Sequence, residues 1–116
     1  MKRVATVIVS LVFLSGSAAL AQDAAKMIAA GKQVYTDQKC ATCHQIAGQG
    51  GKSSTALDKV GSKLSADDLK KWLTDTATME SKLPAKPKVP MAGFMKSKKL
   101  SDTDVSNLVA YLSSLK

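Results

Sequence analysis

Histidine occurs once in the 116 residues, cysteine twice and arginine once. Any chemistry that needs an imidazole or a thiol is thereby confined to His44, Cys40 and Cys43. The one arginine, Arg3, stands at the start of the chain, and no stretch interleaves basic with aromatic residues, which argues against a nucleic-acid-binding surface. Aromatic residues make up only 4% of the chain, and beyond residue 21 they are Tyr35, Trp72, Phe94 and Tyr111. So few large apolar side chains leave a thin core, and domains of this size often need a staple that is not side chain. Strand-like alternation of useful length is also missing, so the predicted class is all-α.

Apolar runs are short. The longest, Val4 to Leu14, is broken by Ser15, Gly16 and Ser17 before it reaches the roughly 20 residues that a membrane crossing needs. With Lys2 and Arg3 before it and Ala19-Leu20-Ala21 after it, the run reads as a Sec-type signal peptide over residues 1–21. Cleavage would leave one domain, 22–116, exported to the periplasm without stable membrane insertion and expected to be a monomer. No cysteine directly follows the apolar run, which argues against a lipid anchor.

Helical periodicity dominates what remains. From Ala24, the residues Met27, Ile28, Gly31, Val34 and Tyr35 fall at three- and four-residue spacing and predict a helix with one apolar stripe, ending shortly before Cys40. "LSADDL" and "LSDTDV" share a start signal: Ser65 and Ser101 as N-caps, Asp68 and Asp104 three residues on, and the staples Leu64 with Leu69 and Leu100 with Val105. The second predicts a C-terminal helix burying Val105, Leu108, Val109, Leu112 and Leu115. Between the helices, "AGQGGKSSTALDKVG" reads as loop with one helical turn around Leu57, and Pro84, Pro87 and Pro90 favour an extended strap. The strap runs into the apolar stretch from Val89 to Met95.

The chemistry sits in "DQKCATCHQIAG". A Cys40–Cys43 disulfide is the plain structural alternative in an exported chain. A thioredoxin-like redox pair expects a strand before the motif and a βαβ context. A structural zinc site needs four ligands where Cys40, Cys43 and His44 supply three. Covalent haem attachment uses all three residues, with a thioether from each cysteine and the histidine on the iron.

With its motifs in this order, the chain resembles class I cytochromes c: "GKQVY" in a first helix, "CATCH", the loop with "ALDKVGSKLS", a tryptophan-bearing helix, "VPMAGF" and "LSDTDVSNLVAYLSSL". The resemblance implies a small all-α fold in which terminal helices cross at Gly31 and pack around one haem c per chain. It implies Cys40 and Cys43 as thioethers, His44 as proximal iron ligand and Met91 as distal ligand. Met91 stands where the family has the methionine of M-P-x-F, and Met95, one helical turn on, is the alternative. Ala92 replaces the family's proline, and Ser54-Thr55 replaces a Gly-Pro pair whose proline carbonyl accepts a hydrogen bond from the proximal histidine.

Such ligation implies a single-electron carrier and no bond-making enzyme. The chain is expected to shuttle between redox proteins or, alternatively, to serve as a fixed electron-transfer subunit of an oxidoreductase complex. Removing Lys2 and Arg3 from the 17 basic residues leaves 15 lysines against 9 acidic residues, a balance near +6. Lys82, Lys86, Lys88, Lys96, Lys98 and Lys99 flank the Met91 segment and suggest partners with acidic docking surfaces.

Overall fold

The computed structural model describes residues 16–116. The first helix, α1, spans Gly16–Asp37 and so starts eight residues before the expected position. Its early part is rich in alanine, the best helix former, and residues 18–27 are exposed. Propensity rather than packing carries this end of the helix. Met27, predicted to lie on the buried stripe, is 38% exposed, because burial begins only at Ile28. Of the expected signal segment, residues 1–15 lie outside the described residues, and the Ala19-Leu20-Ala21 site falls within α1.

From Ile28 onward α1 packs against the last helix, α6, which spans Asp102–Ser114. The two backbones meet at Gly31. A Cβ on Gly31 would lie 2.7 Å from Tyr111 Cβ and closer still to the Asn107 carbonyl. Beside this crossing Tyr35 and Tyr111 meet edge to face, ring centroids 5.9 Å apart. Helix propensity alone makes Gly31→Ala stabilising by about 1 kcal/mol. The collision with backbone reverses the sign, and we expect a net loss of about 2 kcal/mol or more in guanidinium unfolding of the holoprotein.

Both predicted N-caps form. Ser65 accepts from the Asp68 amide at the start of α3 (Ala66–Thr74), and Ser101 with Asp104 makes a complete capping box on α6. At α3 the second half of the box is replaced, since the Ser65 hydroxyl donates to the Asp68 carboxylate instead. Leu69 and Val105, the staple residues inside these helices, are buried. The core joins Tyr35, Val60, Leu69, Leu108, Tyr111 and Leu112, with Leu108 at its centre. On α6, Val105, Leu108 and Leu112 are buried as predicted; Tyr111 joins them, while Val109 and Leu115 are half-buried.

The connections hold the shorter elements. Lys39, in the left-handed region at φ 59°, turns the chain out of α1 into a 3₁₀ turn over Cys40–Thr42. A two-residue antiparallel ribbon follows, β1 (Gln45–Ile46) with β2 (Gln49–Gly50), Gln45 opposite Gly50. Its turn places Ala47 and Gly48 at positive φ, as a tight hairpin requires. The turn expected around Leu57 forms three residues later, as α2 (Val60–Lys63), and α4 (Thr76–Ser81) follows α3 directly. Residues 82–90 carry no regular structure, and α5 (Met91–Lys96) begins immediately after Pro90. The architecture is all-α, with the ribbon as a minor addition.

Candidate cofactor site

The "CATCH" segment is held by its own backbone and by the loop after it. The Cys43 and His44 amides both donate to the Cys40 carbonyl, at 3.3 and 3.1 Å. Returning from the ribbon, the Gly51 amide donates to the Ala41 carbonyl (2.8 Å) and the Ser54 amide to the Cys43 carbonyl (3.1 Å). The glycine-rich composition has a steric reason here: Gly50 has φ 112°, and a Cβ on it would strike the His44 carbonyl. Asp58 closes the far side of the loop by accepting from the Ala47 amide at 2.6 Å.

His44 has a defined tautomer. Its Nδ1 lies 2.7 Å from the Thr55 carbonyl oxygen, which can only accept, so Nδ1 carries the proton and Nε2 keeps its lone pair for a ligand. The Thr55 carbonyl thus stands where the resemblance implies a proline carbonyl, despite the change of residue. Tyr35 adds a second restraint by donating from its hydroxyl to the His44 carbonyl at 3.2 Å. Burial, with smaller contributions from Cys40, Tyr111 and Asp58, pushes the Tyr35 phenol up to about 12, so it remains a donor across the neutral range.

Cys40 and Cys43 are half-buried and not joined in a disulfide. Burial pushes the Cys40 thiol up, against weaker downward pulls from its own backbone amide and Lys98. Redox-active cysteines in C-x-x-C motifs show the opposite displacement. Among the described residues no group of three or more His, Cys, Asp or Glu side chains is arranged to hold a metal ion. Among the described residues the motif therefore gathers too few ligands for a zinc site, and burial works against a reactive Cys40 thiolate.

What lies beside it is apolar space. A cavity of about 290 Å³ is lined by Cys40, His44, Leu57, Leu69, Trp72 and Met91, among others. A smaller one of about 50 Å³ adjoins it and shares Cys40, His44, Ser54, Leu73, Val89, Met91 and Leu108 as walls, with Cys43, Phe94 and Met95 added. The predicted residues are thus brought together: both cysteines, His44 and Met91 face this space from two segments far apart in sequence. Met95 lines the smaller cavity and an outer groove with Asp75, Thr76 and Val105, but not the larger cavity. Met79, on α4, lines neither cavity, and Met27 is exposed on α1.

These residues fit a haem. The walls are apolar, the two thiols are at the edge, and one imidazole nitrogen is kept free by the bond on the other. Sequence reasoning does not single out Glu80, which lines the larger cavity and accepts a hydrogen bond from the Ala92 amide at 3.0 Å. No local pattern marks that contact.

The lysines expected around Met91 are exposed, with the exception of Lys98. Lys98 is half-buried, stacks its ammonium 4.5 Å above the Phe94 ring and lines the smaller cavity. Among the described residues no helix is long and apolar enough to cross a membrane.

Comparisons with known proteins agree with this geometry. The family model described as Cytochrome c matches residues 28–116, a span that begins where α1 becomes buried. Neither the curated proteins nor the solved structures returned a match. Matched over about three quarters of its length, across the attachment motif, the apolar cavity and the crossing of α1 with α6, the chain belongs to the cytochrome c family of covalent-haem electron-transfer proteins.

Proposed function

We propose that the chain is an exported monohaem carrier, cleaved after Ala21, that shuttles single electrons between redox proteins with His44 and Met91 as iron ligands. The observation that carries this reading is the shared cavity wall: Cys40, His44 and Met91 line both apolar compartments. Haem c, when bound, supplies a one-electron ferric/ferrous couple that a thioether ligand biases toward ferrous.

The protein's own residues supply the rest. Cys40 and Cys43 tether the group, and the Thr55 carbonyl fixes the His44 ring and raises its basicity as a ligand. Leu57, Leu69, Trp72, Leu73 and Leu108 keep water from the interior face, which limits reorganisation between the two charge states. With His44 and Met91 as its ligands, such a group would serve electron transfer alone.

Approach to a partner is set by charge. Lys88, Lys96 and Lys99 are exposed on or beside the segment that carries Met91. Such charges act within a Debye length, about 8 to 10 Å at ordinary ionic strength, and change association rate more than affinity. Replacing all three with glutamine should slow second-order reduction by an acidic donor about tenfold at low salt and flatten its salt dependence. Lys26 and Lys32, exposed on α1, serve as the control. Stopped-flow rates that fall equally for both sets would show that net charge, not a docking face, governs the encounter.

A further inference from the structure

We propose that Glu80 is a positioning residue for Met91: its carboxylate caps α5 and holds the methionine's backbone against the cavity. This rests on the reading of Met91 as an iron ligand. Met91 is the first residue of a six-residue helix, far shorter than a helix that persists unaided. Pro90 at its N-cap has no side-chain oxygen to accept from the first-turn amides, and no side-chain cap forms there. The acceptor comes instead from α4, where Glu80 Oε1 takes the Ala92 amide proton at 3.0 Å in a part-buried contact.

Two features make the contact more than a surface hydrogen bond. Residues 82–90 lack regular structure after the end of α4, and eight of the nine are exposed, so little else holds the ends of the strap together. The Glu80–Ala92 bond clips those ends just beyond Met91, and Glu80 and Met91 line the same cavity. The contact also depends on the departure from the family pattern at position 92. Proline, which the resemblance places after the methionine, has no amide hydrogen, whereas Ala92 has one to give. A hydrogen bond from α4 thus stands in for the backbone restraint of a proline ring. The negative charge near the N-terminus of α5 acts in the same direction.

The test uses the ferric holoprotein with Glu80→Gln, which keeps an acceptor oxygen, Glu80→Leu, which keeps bulk and removes it, and Met91→Ala. The readouts are amide exchange at Ala92, the sulfur-to-iron charge-transfer band and the affinity for added imidazole. Glu80→Leu should weaken the band, expose the Ala92 amide to exchange and raise imidazole affinity about tenfold, the equilibrium equivalent of losing one hydrogen bond to a charged acceptor. Glu80→Gln should restore most of each. A merely structural role would lower the unfolding midpoint and leave imidazole affinity unchanged in the folded protein, which overturns the proposal.

Should Glu80→Leu not fold, the wild type decides. The Ala92 amide has no acceptor within its own helix, so exchange at the rate of an open peptide would show that Glu80 does not hold it. If Met91→Ala abolishes the band while Glu80→Leu behaves as wild type, the positioning role fails and the ligand reading stands. If the band survives Met91→Ala, the ligand reading fails and takes the proposal with it.

Discussion

Intact mass of the exported holoprotein is expected to equal that of residues 22–116 plus one haem, with the haem surviving acid-acetone extraction. The double variant Cys40→Ala with Cys43→Ala, produced alongside the haem-attachment machinery, is expected not to fold at 25 °C, as seen by loss of the far-ultraviolet helix signal. The reason is quantitative. Seven apolar side chains are buried among the described residues, and five of them, Tyr35, Val60, Leu69, Leu108 and Leu112, line a cavity of about 290 Å³. At about 24 cal/mol for each Å³ left unfilled, that volume costs about 7 kcal/mol. Small domains have only about 5 to 15 kcal/mol in total. A helical, cooperatively unfolding double variant would mean that the core closes without the haem and that the cofactor is not structural.

Met91→Ala is expected to abolish the sulfur-to-iron charge-transfer band of the ferric protein, lower the reduction potential and admit imidazole to the iron. Met95→Ala should keep the band and lose only packing, about 1 to 2 kcal/mol for a half-buried side chain. The difference rests on placement. Met91 opens α5 and lines both compartments with His44, whereas Met95, one turn later, turns toward the smaller compartment and the outer groove beside Asp75 and Thr76. The reverse pattern would assign Met95 as the ligand, and loss of the band in neither variant would point to a lysine or an open site.

Local signals were the most legible part of the sequence. Caps at Ser65 and Ser101 act over three residues and form where the pattern puts them. The close crossing at Gly31 is also where the resemblance puts it. Elements without a strong local signal were less legible. The ribbon at 45–50 depends on positive φ at Ala47, which no propensity favours, and the turn near Leu57 forms only at Val60. At the start of α1 the apolar pattern overreached: Met27 fits the stripe, but no described element reaches far enough to cover it.

The chemistry class was legible before any fold was known, because C-x-x-C-H puts two thiols and an imidazole within five residues, and covalent connection keeps them together in any fold. So was the all-α class, since periodicity and capping are properties of contiguous residues. Packing brought together the distant atoms that meet at the cavity. The Thr55 carbonyl reaches His44 across 11 residues, and Glu80 reaches Ala92 across 12. The resemblance points to the first pairing, since position 55 stands at the family's proline, but nothing marks the second, because a carboxylate at position 80 reads as ordinary surface charge. Which methionine lines both compartments with His44 was decided in the same way. Two methionines four residues apart differ in sequence by one helical turn, and only the packing of α5 against the cavity gives them different surroundings.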